Sequence, residues 1–390
     1  MKYVDEFRDP EKARKLIDRI HALQDVINAS PTEPLQLMEF CGGHTHTIFR
    51  YGIEQMLPDW IELVHGPGCP VCVLPMGRVD DCVELAEHPD VIFTTFGDAM
   101  RVPGSRKSLL QARADGADIR MVYSPLDALA LARKNPDRQV IFFALGFETT
   151  MPSTALTVLQ AEAEDIKNFS LFCNHITTVP TIKAILDSPD MRIDGFLAPG
   201  HVSMVVGEQP FKFVTHNYAK PIVITGFEPL DILQSIWMVL QQLTDRRCVV
   251  ENQYARIAPP SGNPPGLDAM SKVFELREFF EWRGLGSIDH SGVKMRDAYA
   301  RFDAERKFAL PNIKIADPKS CQCGEVLKGV IRPWECKVFG DACTPETPMG
   351  ALMVSSEGAC AAYYNFGNLP ELLAKREQKH QTETAKESAA

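Results

Sequence analysis

Cysteine is the residue type whose number and spacing in this sequence point most directly to chemistry. Even spreading of the eleven cysteines would put about one in any stretch of forty residues. Near the C-terminal end five fall within such a stretch: Cys321, Cys323, Cys336, Cys343 and Cys360. Structural disulfides are rare in the reducing compartment that we expect for this chain, so the excess predicts a metal site.

Four of these cysteines form the best ligand set. They are Cys323, Cys336, Cys343 and Cys360, with twelve, six and sixteen residues between successive members. Four thiolates suit a 4Fe-4S cluster and a zinc ion alike, and the spacing matches neither the compact ferredoxin run nor the knuckles of a zinc ribbon. Spacing therefore leaves both metals open, with Cys321 as a surplus cysteine that is an alternative to Cys323.

A second thiol pair lies in the segment GPGCPVC, residues 66–72, as Cys69 and Cys72. Two intervening residues permit a reversible disulfide, and a helix that starts nearby would stabilise a thiolate. The same spacing would serve as half of a zinc site, but the sequence contains no second Cys-x-x-Cys to complete one. We interpret the pair as redox-active or metal-handling.

A third thiol, Cys41, opens the segment CGGHTH, residues 41–46. Its two glycines allow other groups to approach the backbone closely, and a thiol with His44 and His46 suits a soft or borderline metal. The alternative is a buried cysteine at a tight turn, with histidines that cap a helix or bind a carbonyl. The histidines beside the thiol favour the functional interpretation.

The elements that must position these residues follow the alternation of strand and helix that is typical of a parallel α/β sheet. Predicted strands are 35–40, 61–65, 91–96, 119–124, 140–145, 169–174, 195–198 and 222–225, with a helix over 230–243. In such sheets ligands bind outside the carboxyl ends of the strands. Besides the Cys41 and Cys69 segments, the polar residues expected at these ends are Asp98, Glu148, His175, His201 and Glu228. Each is also compatible with a structural polar group.

The sequence divides into a predicted N-terminal helix (1–34), two related α/β lobes (35–130 and 131–250), a Cys-rich region (251–377) and a disordered tail (378–390). The tripeptide Gly-Phe-Glu follows two of the predicted strands, at 146–148 and 226–228, which hints at equivalent turns. A Pro/Gly-rich connection before residue 266 separates the lobes from a helix over 269–282. We expect the region after it to be held together by its metal rather than by a sheet.

Composition excludes several classes of function. The formal charge of -10 leaves no basic footprint for a nucleic acid, and no stretch of eighteen apolar residues predicts a membrane span. The first residues lack the apolar core of a signal peptide, so we expect a cytoplasmic protein. Phosphate-binding and dinucleotide-binding glycine loops and the Gly-x-Ser-x-Gly motif of serine hydrolases are absent from the sequence.

Taken together, the motifs resemble those of the hydrogenase-maturation family HypD over nearly the whole chain. The phrases that carry this resemblance, in family order, are CGGHTH (41–46), GPGCPVC (66–72), TFGD (95–98), GFETT (146–150), PGH (199–201) and SSEGAC (355–360). The resemblance implies two related α/β lobes plus a C-terminal iron-sulfur domain. It also implies that Cys323, Cys336, Cys343 and Cys360 hold a 4Fe-4S cluster.

The same resemblance implies a redox-active scaffold rather than a conventional turnover enzyme. On it the iron group of nickel-iron hydrogenases, carrying cyanide and carbon monoxide, would be assembled. Cys41 would be an iron ligand, shared with a HypC-type small chaperone, and Cys69 with Cys72 a redox pair or auxiliary iron ligands. Cyanide would arrive from a HypE-type donor, and the hydrogenase large subunit would be served indirectly. Two alternatives stay open: an iron-sulfur-dependent thiol-disulfide oxidoreductase and a structural zinc protein.

Overall fold

The computed structural model describes residues 4–310 and 313–389, with the backbone alone for His380 and residues 382–389. Residues 1–3 of the predicted N-terminal region, residues 311–312 and residue 390 of the predicted tail lie outside the described residues. The strands are β1 (Leu35–Glu39), β2 (Ile61–His65), β3 (Val91–Thr95), β4 (Ile119–Met121), β5 (Gln139–Gly146), β6 (Phe169–His175), β7 (Gly195–Pro199), β8 (Ile222–Thr225), β9 (Val250–Asn252), β10 (Phe274–Leu276), β11 (Phe279–Trp282), β12 (Gly286–Asp289) and β13 (Val293–Met295).

The α-helices of the same residues are α1 (Pro10–His21), α2 (Gln24–Ile27), α3 (Gly42–Arg50), α4 (Ile53–Met56), α5 (Met76–Glu87), α6 (Leu109–Ala114), α7 (Pro125–Lys134), α8 (Met151–Ala163), α9 (Thr178–Leu186), α10 (Gly200–Val206), α11 (Lys212–Tyr218), α12 (Pro229–Thr244), α13 (Pro264–Val273), α14 (Ala304–Lys307), α15 (Cys323–Leu327), α16 (Ala359–Phe366) and α17 (Leu369–Ala389). Among the described residues, no helix is long and apolar enough to cross a bilayer.

Two parallel sheets form the α/β part of the molecule, which confirms the predicted fold class. Sheet 1 has the strand order β2-β1-β7-β8-β9, and sheet 2 has the order β4-β3-β5-β6. Every pairing in both sheets is parallel. Their central strands are buried on both faces, as expected for sheets covered by crossover helices. The eight predicted strands all exist, with ends displaced by at most a few residues.

The division of these strands between the sheets differs from the predicted lobes. Sheet 1 takes β1 and β2 from the first predicted lobe and β7 to β9 from the second, whereas sheet 2 takes β3 to β6 from both. Membership of the two sheets therefore does not follow the predicted boundary at residue 130, which stays a prediction. Strand patterns fix which segments are strands, but the long crossovers of parallel sheets leave the partner of each strand open.

The region after residue 250 contains more strand than predicted. The expected helix over 269–282 ends at Val273, and the chain continues into the antiparallel pairs β10-β13 and β11-β12. At the other end, the predicted disordered tail is the last part of helix α17 as far as Ala389, where Ala, Glu, Lys and Gln all favour helix.

The Cys-rich region packs on sheet 1 rather than forming a separate core. The principal hydrophobic cluster contains side chains of β1 and β2 together with Cys323, Cys336, Cys343 and Cys360. A second cluster lies between sheet 2 and helices α7, α8 and α13. The four cysteines are therefore held against the sheet that carries Cys41.

Candidate functional site

Cys41 lies at the junction of β1 and α3, where it is the N-terminal cap residue of the helix with an extended backbone. The turn after β2 presses against it: a Cβ on Gly68 would lie 2.2 Å from the Cys41 nitrogen, so only glycine fits there. The thiol is largely withdrawn from water, and this desolvation, together with the nearby Glu39 carboxylate, raises the pKa of Cys41 to about 12. Metal coordination at this thiol would have to displace its proton.

The Cys41 thiol opens on a cleft of about 270 Å³ between the carboxyl edges of the two sheets. Sheet 1 contributes Cys41 and the turn of Pro199 and His201. Sheet 2 contributes the turn that begins at Gly146. The lining is mainly apolar, with few polar groups, as is usual for a small-molecule site. The sheet-edge rule thus located the pocket, although it could not say which strands would face each other.

Cys69 and Cys72 are joined by a disulfide whose Cα atoms are 5.2 Å apart, and both are buried. Their segment follows β2, and the intervening Pro70 and Val71 line the cleft. On the other side Cys72 packs closely against Gly358, where a Cβ would lie 3.1 Å from the Cys72 sulfur. The disulfide therefore lies between the cleft and the segment that leads to Cys360.

The three predicted histidines near Cys41 have different surroundings. His44 is buried, its Nε2–H donates to the Thr225 carbonyl at 3.1 Å, and its Nδ1 has no hydrogen-bond partner among the described residues. His201 lines the cleft and stacks on Phe227 with ring centres 3.7 Å apart. Desolvation lowers the pKa of both His44 and His201, which favours neutral rings. His46 packs edge-on against Phe366, outside the cleft.

Three of the remaining candidates have structural hydrogen bonds or ion pairs. Glu148 accepts hydrogen bonds from the Thr178 nitrogen at 2.8 Å and the Thr178 hydroxyl at 2.7 Å. His175 bonds the Gly146 carbonyl and the Thr154 hydroxyl at 3.3 and 3.1 Å, and its burial lowers its pKa to about 4.

Glu228 caps helix α12 and forms an ion pair with Arg8. Asp98 is exposed and lies near the Ser355 hydroxyl, with 3.5 Å between the oxygens. None of the four residues Asp98, Glu148, His175 and Glu228 lines the cleft among the described residues.

Two carboxylates that the sequence analysis did not single out adjoin Cys41. Glu357 lines the cleft, and its side chain fills the space beside Gly42, where a Cβ would lie 2.6 Å from it. Glu39 is fully buried and accepts a hydrogen bond from the Cys41 nitrogen at 2.8 Å. A carboxylate between the apolar Met38 and Phe40 of a predicted strand was the available signal for Glu39.

The C-terminal cysteines converge in one place. Cys323, Cys336, Cys343 and Cys360 are all buried, and the neighbouring thiols contribute, after burial, to the raised pKa of Cys360 and Cys343. Cys321 has its sulfur 2.9 Å from that of Cys323, and this contact lowers its pKa to about 7. A Cβ on Gly350 would lie 2.5 and 2.6 Å from these two sulfurs, so glycine leaves room for both.

The donor set fits a metal-thiolate cluster. It consists of thiols alone, in a buried setting, and soft thiolate ligands are those that iron-sulfur clusters and zinc prefer. Within residues 4–310 and 313–389, no three Cys, His, Asp or Glu side chains lie close enough together to hold a single metal ion. A cluster spreads its ligands over a wider cage than one ion does. We therefore keep Cys323, Cys336, Cys343 and Cys360 as the predicted ligands.

Comparison with known proteins identifies the family. The family model "HypD: Hydrogenase formation hypA family" matches residues 11–367. Hydrogenase maturation factor HypD of Rhodobacter capsulatus is 57% identical over 371 residues, which cover 94% of this chain and 98% of that protein. The HypD proteins of Escherichia coli and Azotobacter vinelandii are 54% and 52% identical, again over 94% of this chain and over 98% and 97% of their own lengths. The chain belongs to the HypD family, and its role is in hydrogenase maturation.

Proposed function

We propose that this protein is the scaffold on which the iron group of nickel-iron hydrogenases receives its cyanide and carbon monoxide ligands. The observation that carries the proposal is the position of Cys41, whose thiol opens on a cleft formed by the edges of both sheets. Iron carrying these ligands is the cargo, and Cys41 is its ligand on this protein. A HypC-type chaperone would supply a second thiolate by inserting its own cysteine into the same cleft.

Cys69 and Cys72 supply electrons in this proposal. Cyanide delivered by a HypE-type donor as a thiocyanate, R–S–C≡N, is released as CN⁻ and R–SH when two electrons and one proton are added. A Cys69–Cys72 dithiol supplies two electrons and two protons as it closes to the disulfide. The closed pair flanks Pro70 and Val71 of the cleft wall, and Cys72 also contacts Gly358 of the Cys-rich region.

Cys323, Cys336, Cys343 and Cys360 would hold a 4Fe-4S cluster, which would supply single electrons. The contact of Cys72 with Gly358, two residues before Cys360, supports this relay because it places the disulfide beside the segment that carries one of these cysteines. Reopening the disulfide requires two electrons and two protons from a cellular reductant. The protein would do this work in the cytoplasm with its maturation partners, without nucleic acid or membrane.

The disulfide also favours a second candidate, a thiol-disulfide oxidoreductase that acts on protein disulfides. That function needs Cys69, Cys72 and the cluster ligands, but it does not need iron on Cys41. A structural zinc protein would need the C-terminal cysteines, but neither Cys41 nor the Cys69–Cys72 pair. The three functions therefore differ in what Cys41 binds and in whether sulfide accompanies the metal.

Infrared spectroscopy tests the scaffold directly. The protein would be co-expressed with a HypC-type chaperone, purified without oxygen, and compared with the Cys41→Ala variant, and with Cys248→Ala as a matched control on a thiol outside the cleft. We expect cyanide and carbonyl stretches in the wild type and in the control, and none in Cys41→Ala. Bands that persist in Cys41→Ala would exclude Cys41 as the iron ligand. Absence of bands from all three, with an intact cluster, would favour the oxidoreductase.

A further inference from the structure

Glu39 is an unusual residue for the middle of a hydrophobic core. It ends β1, an internal strand of sheet 1, and none of its side chain is accessible to solvent. Burying a carboxylate is costly unless several donors satisfy its oxygens. The immediate neighbours along the strand, Met38 and Phe40, are apolar and buried. A residue of this kind is expected to have a purpose that an apolar residue cannot serve.

Three donors, two from the start of α3 and one from β2, meet on this carboxylate. One oxygen accepts from the Thr45 hydroxyl at 2.5 Å and from His65 Nδ1 at 2.7 Å, and the other accepts from the Cys41 nitrogen at 2.8 Å. His65 is the direct neighbour of Glu39 in the parallel ladder, at the end of β2. Charge-assisted hydrogen bonds such as these are short and strong.

The arrangement fixes the backbone of Cys41 from behind. Only Phe40 and Cys41 lie between β1 and α3, and the Cys41 side chain forms no capping hydrogen bond to the helix. Glu39 holds the Cys41 amide, while Thr45, one turn along α3, ties the helix to the same carboxylate. The direction in which the thiol leaves the backbone is set by this pair of contacts.

We propose that Glu39 is the positioning residue for Cys41, and that Thr45 and His65 are the donors that hold it in place. The fixed carboxylate aims the Cys41 thiol into the cleft. The role of Cys41 as an iron ligand rests on the proposed function, whereas the positioning itself does not. The inference also explains why a threonine lies between the two histidines of the CGGHTH segment.

The first test is amide hydrogen exchange, measured by mass spectrometry on peptides that cover residues 39–45. Glu39→Gln keeps the size of the side chain but replaces one oxygen with an N–H donor, so one of the three contacts becomes donor against donor. We expect exchange of the Cys41 amide to rise about tenfold, equivalent to about 1.4 kcal/mol, while exchange in sheet 2 is unchanged. Exchange at residues 39–45 that stays at the wild-type rate, or rises only in step with the whole chain, would overturn the proposal.

A matched control separates positioning from general stability. Glu305 also forms ion pairs, with the buried Arg78 and the partly buried Arg277, and none of these three residues lines the cleft. Glu305→Gln should lower the unfolding midpoint without changing exchange at residues 39–45. A local change there in the control would contradict a specific role for Glu39.

Variants at Thr45 keep the test valid if Glu39→Gln does not fold. Thr45→Val preserves shape and removes the donor, so we expect a smaller rise in Cys41 amide exchange, and Thr45→Ser should restore the wild-type rate. Equal exchange of the Cys41 amide in Thr45→Val and Thr45→Ser would count against the proposal. Infrared bands of bound iron should follow the same ranking in the co-expressed protein. If the wild type carries no such bands, the proposed function fails, while the exchange measurement still decides the positioning role.

Discussion

The cleft around Cys41 and the Cys-rich region around Cys360 both gather thiols, but they do so by different means. In the cleft, each thiol follows a strand of sheet 1 and is placed by regular βα turns. In the Cys-rich region, the cysteines lie on loops, on 3-10 turns and at the starts of short helices, and form part of the buried core themselves. The cleft therefore has its shape from the sheet, whereas we expect the shape of the second site to depend on what its thiols bind.

Loss of a cluster ligand should have the largest effect. Cys336→Ala is expected to abolish metal and sulfide binding and to cost more than about 4 kcal/mol, the range typical of a lost structural metal. Iron and sulfide analysis with limited proteolysis would measure this. New cleavage is expected within residues 313–367, while sheets 1 and 2 stay resistant. Cys248→Ala, at a half-buried thiol just before β9, serves as the control. A Cys336→Ala protein with full metal content would contradict the comparison.

The pH dependence of stability tests sheet 2, where the buried His175 bonds the carbonyl of the cleft residue Gly146. Burial lowers the pKa of His175 from 6.5 to about 4, so the folded state holds its neutral form. This contribution is present above pH 6.5 and is lost as the pH falls towards 4, on the order of 3 kcal/mol in all. His175→Asn retains a donor for the Gly146 carbonyl and should flatten this part of the profile. Urea unfolding between pH 7.5 and 4.5 measures it; equal slopes in both proteins would refute it.

Opening the Cys69–Cys72 disulfide should have a smaller effect. The chain it closes is very short, so its entropic contribution is about 2 kcal/mol. Cys72→Ser should lose that amount, measured by denaturant unfolding, and should keep full iron and sulfide. Mild reduction of the wild type should lower its stability by a similar amount. Loss of the cluster from Cys72→Ser would mean that the two thiol sites are not separate.

The smallest effect is expected for the surplus thiol. The sulfur of Cys321 lies 2.9 Å from that of Cys323. Cys321 precedes helix α15, however, and is only partly buried. Cys321→Ala should therefore retain iron and sulfide at the wild-type level, whereas Cys323→Ala should lose them. The reverse result would reassign the fourth ligand to Cys321.

The sequence predicted the strands and the edge at which chemistry collects, because buried parallel strands and the polar turns after them have clear local patterns. Cys41 and His201 indeed line the cleft. The pairing of β1 with β7 was not predictable, since it depends on contacts between segments about 160 residues apart. Glu148 and His175 were predicted to be cleft residues because they follow strands. In the structure Glu148 instead accepts a hydrogen bond from Thr178, and His175 bonds the Gly146 carbonyl.

Glu39 and Glu357, in contrast, lie at the site but were not predicted from the sequence. Both adjoin Cys41, but Glu39 lies within a strand and Glu357 comes from the Cys-rich region more than three hundred residues away along the chain. Local sequence gives no indication that Glu357 would reach Gly42. The short antiparallel pairs β10-β13 and β11-β12 were missed because strands of three or four residues carry too little periodicity to predict.

The central claim is that Cys41 binds an iron separate from the cluster. Mössbauer spectroscopy of ⁵⁷Fe-labelled protein, co-expressed with a HypC-type chaperone, distinguishes the two kinds of iron in one sample. The account predicts a low-spin iron signal beside the cluster signal in the wild type, and the cluster signal alone in Cys41→Ala. A low-spin signal of equal size in both proteins, or its loss only in Cys336→Ala, would contradict it.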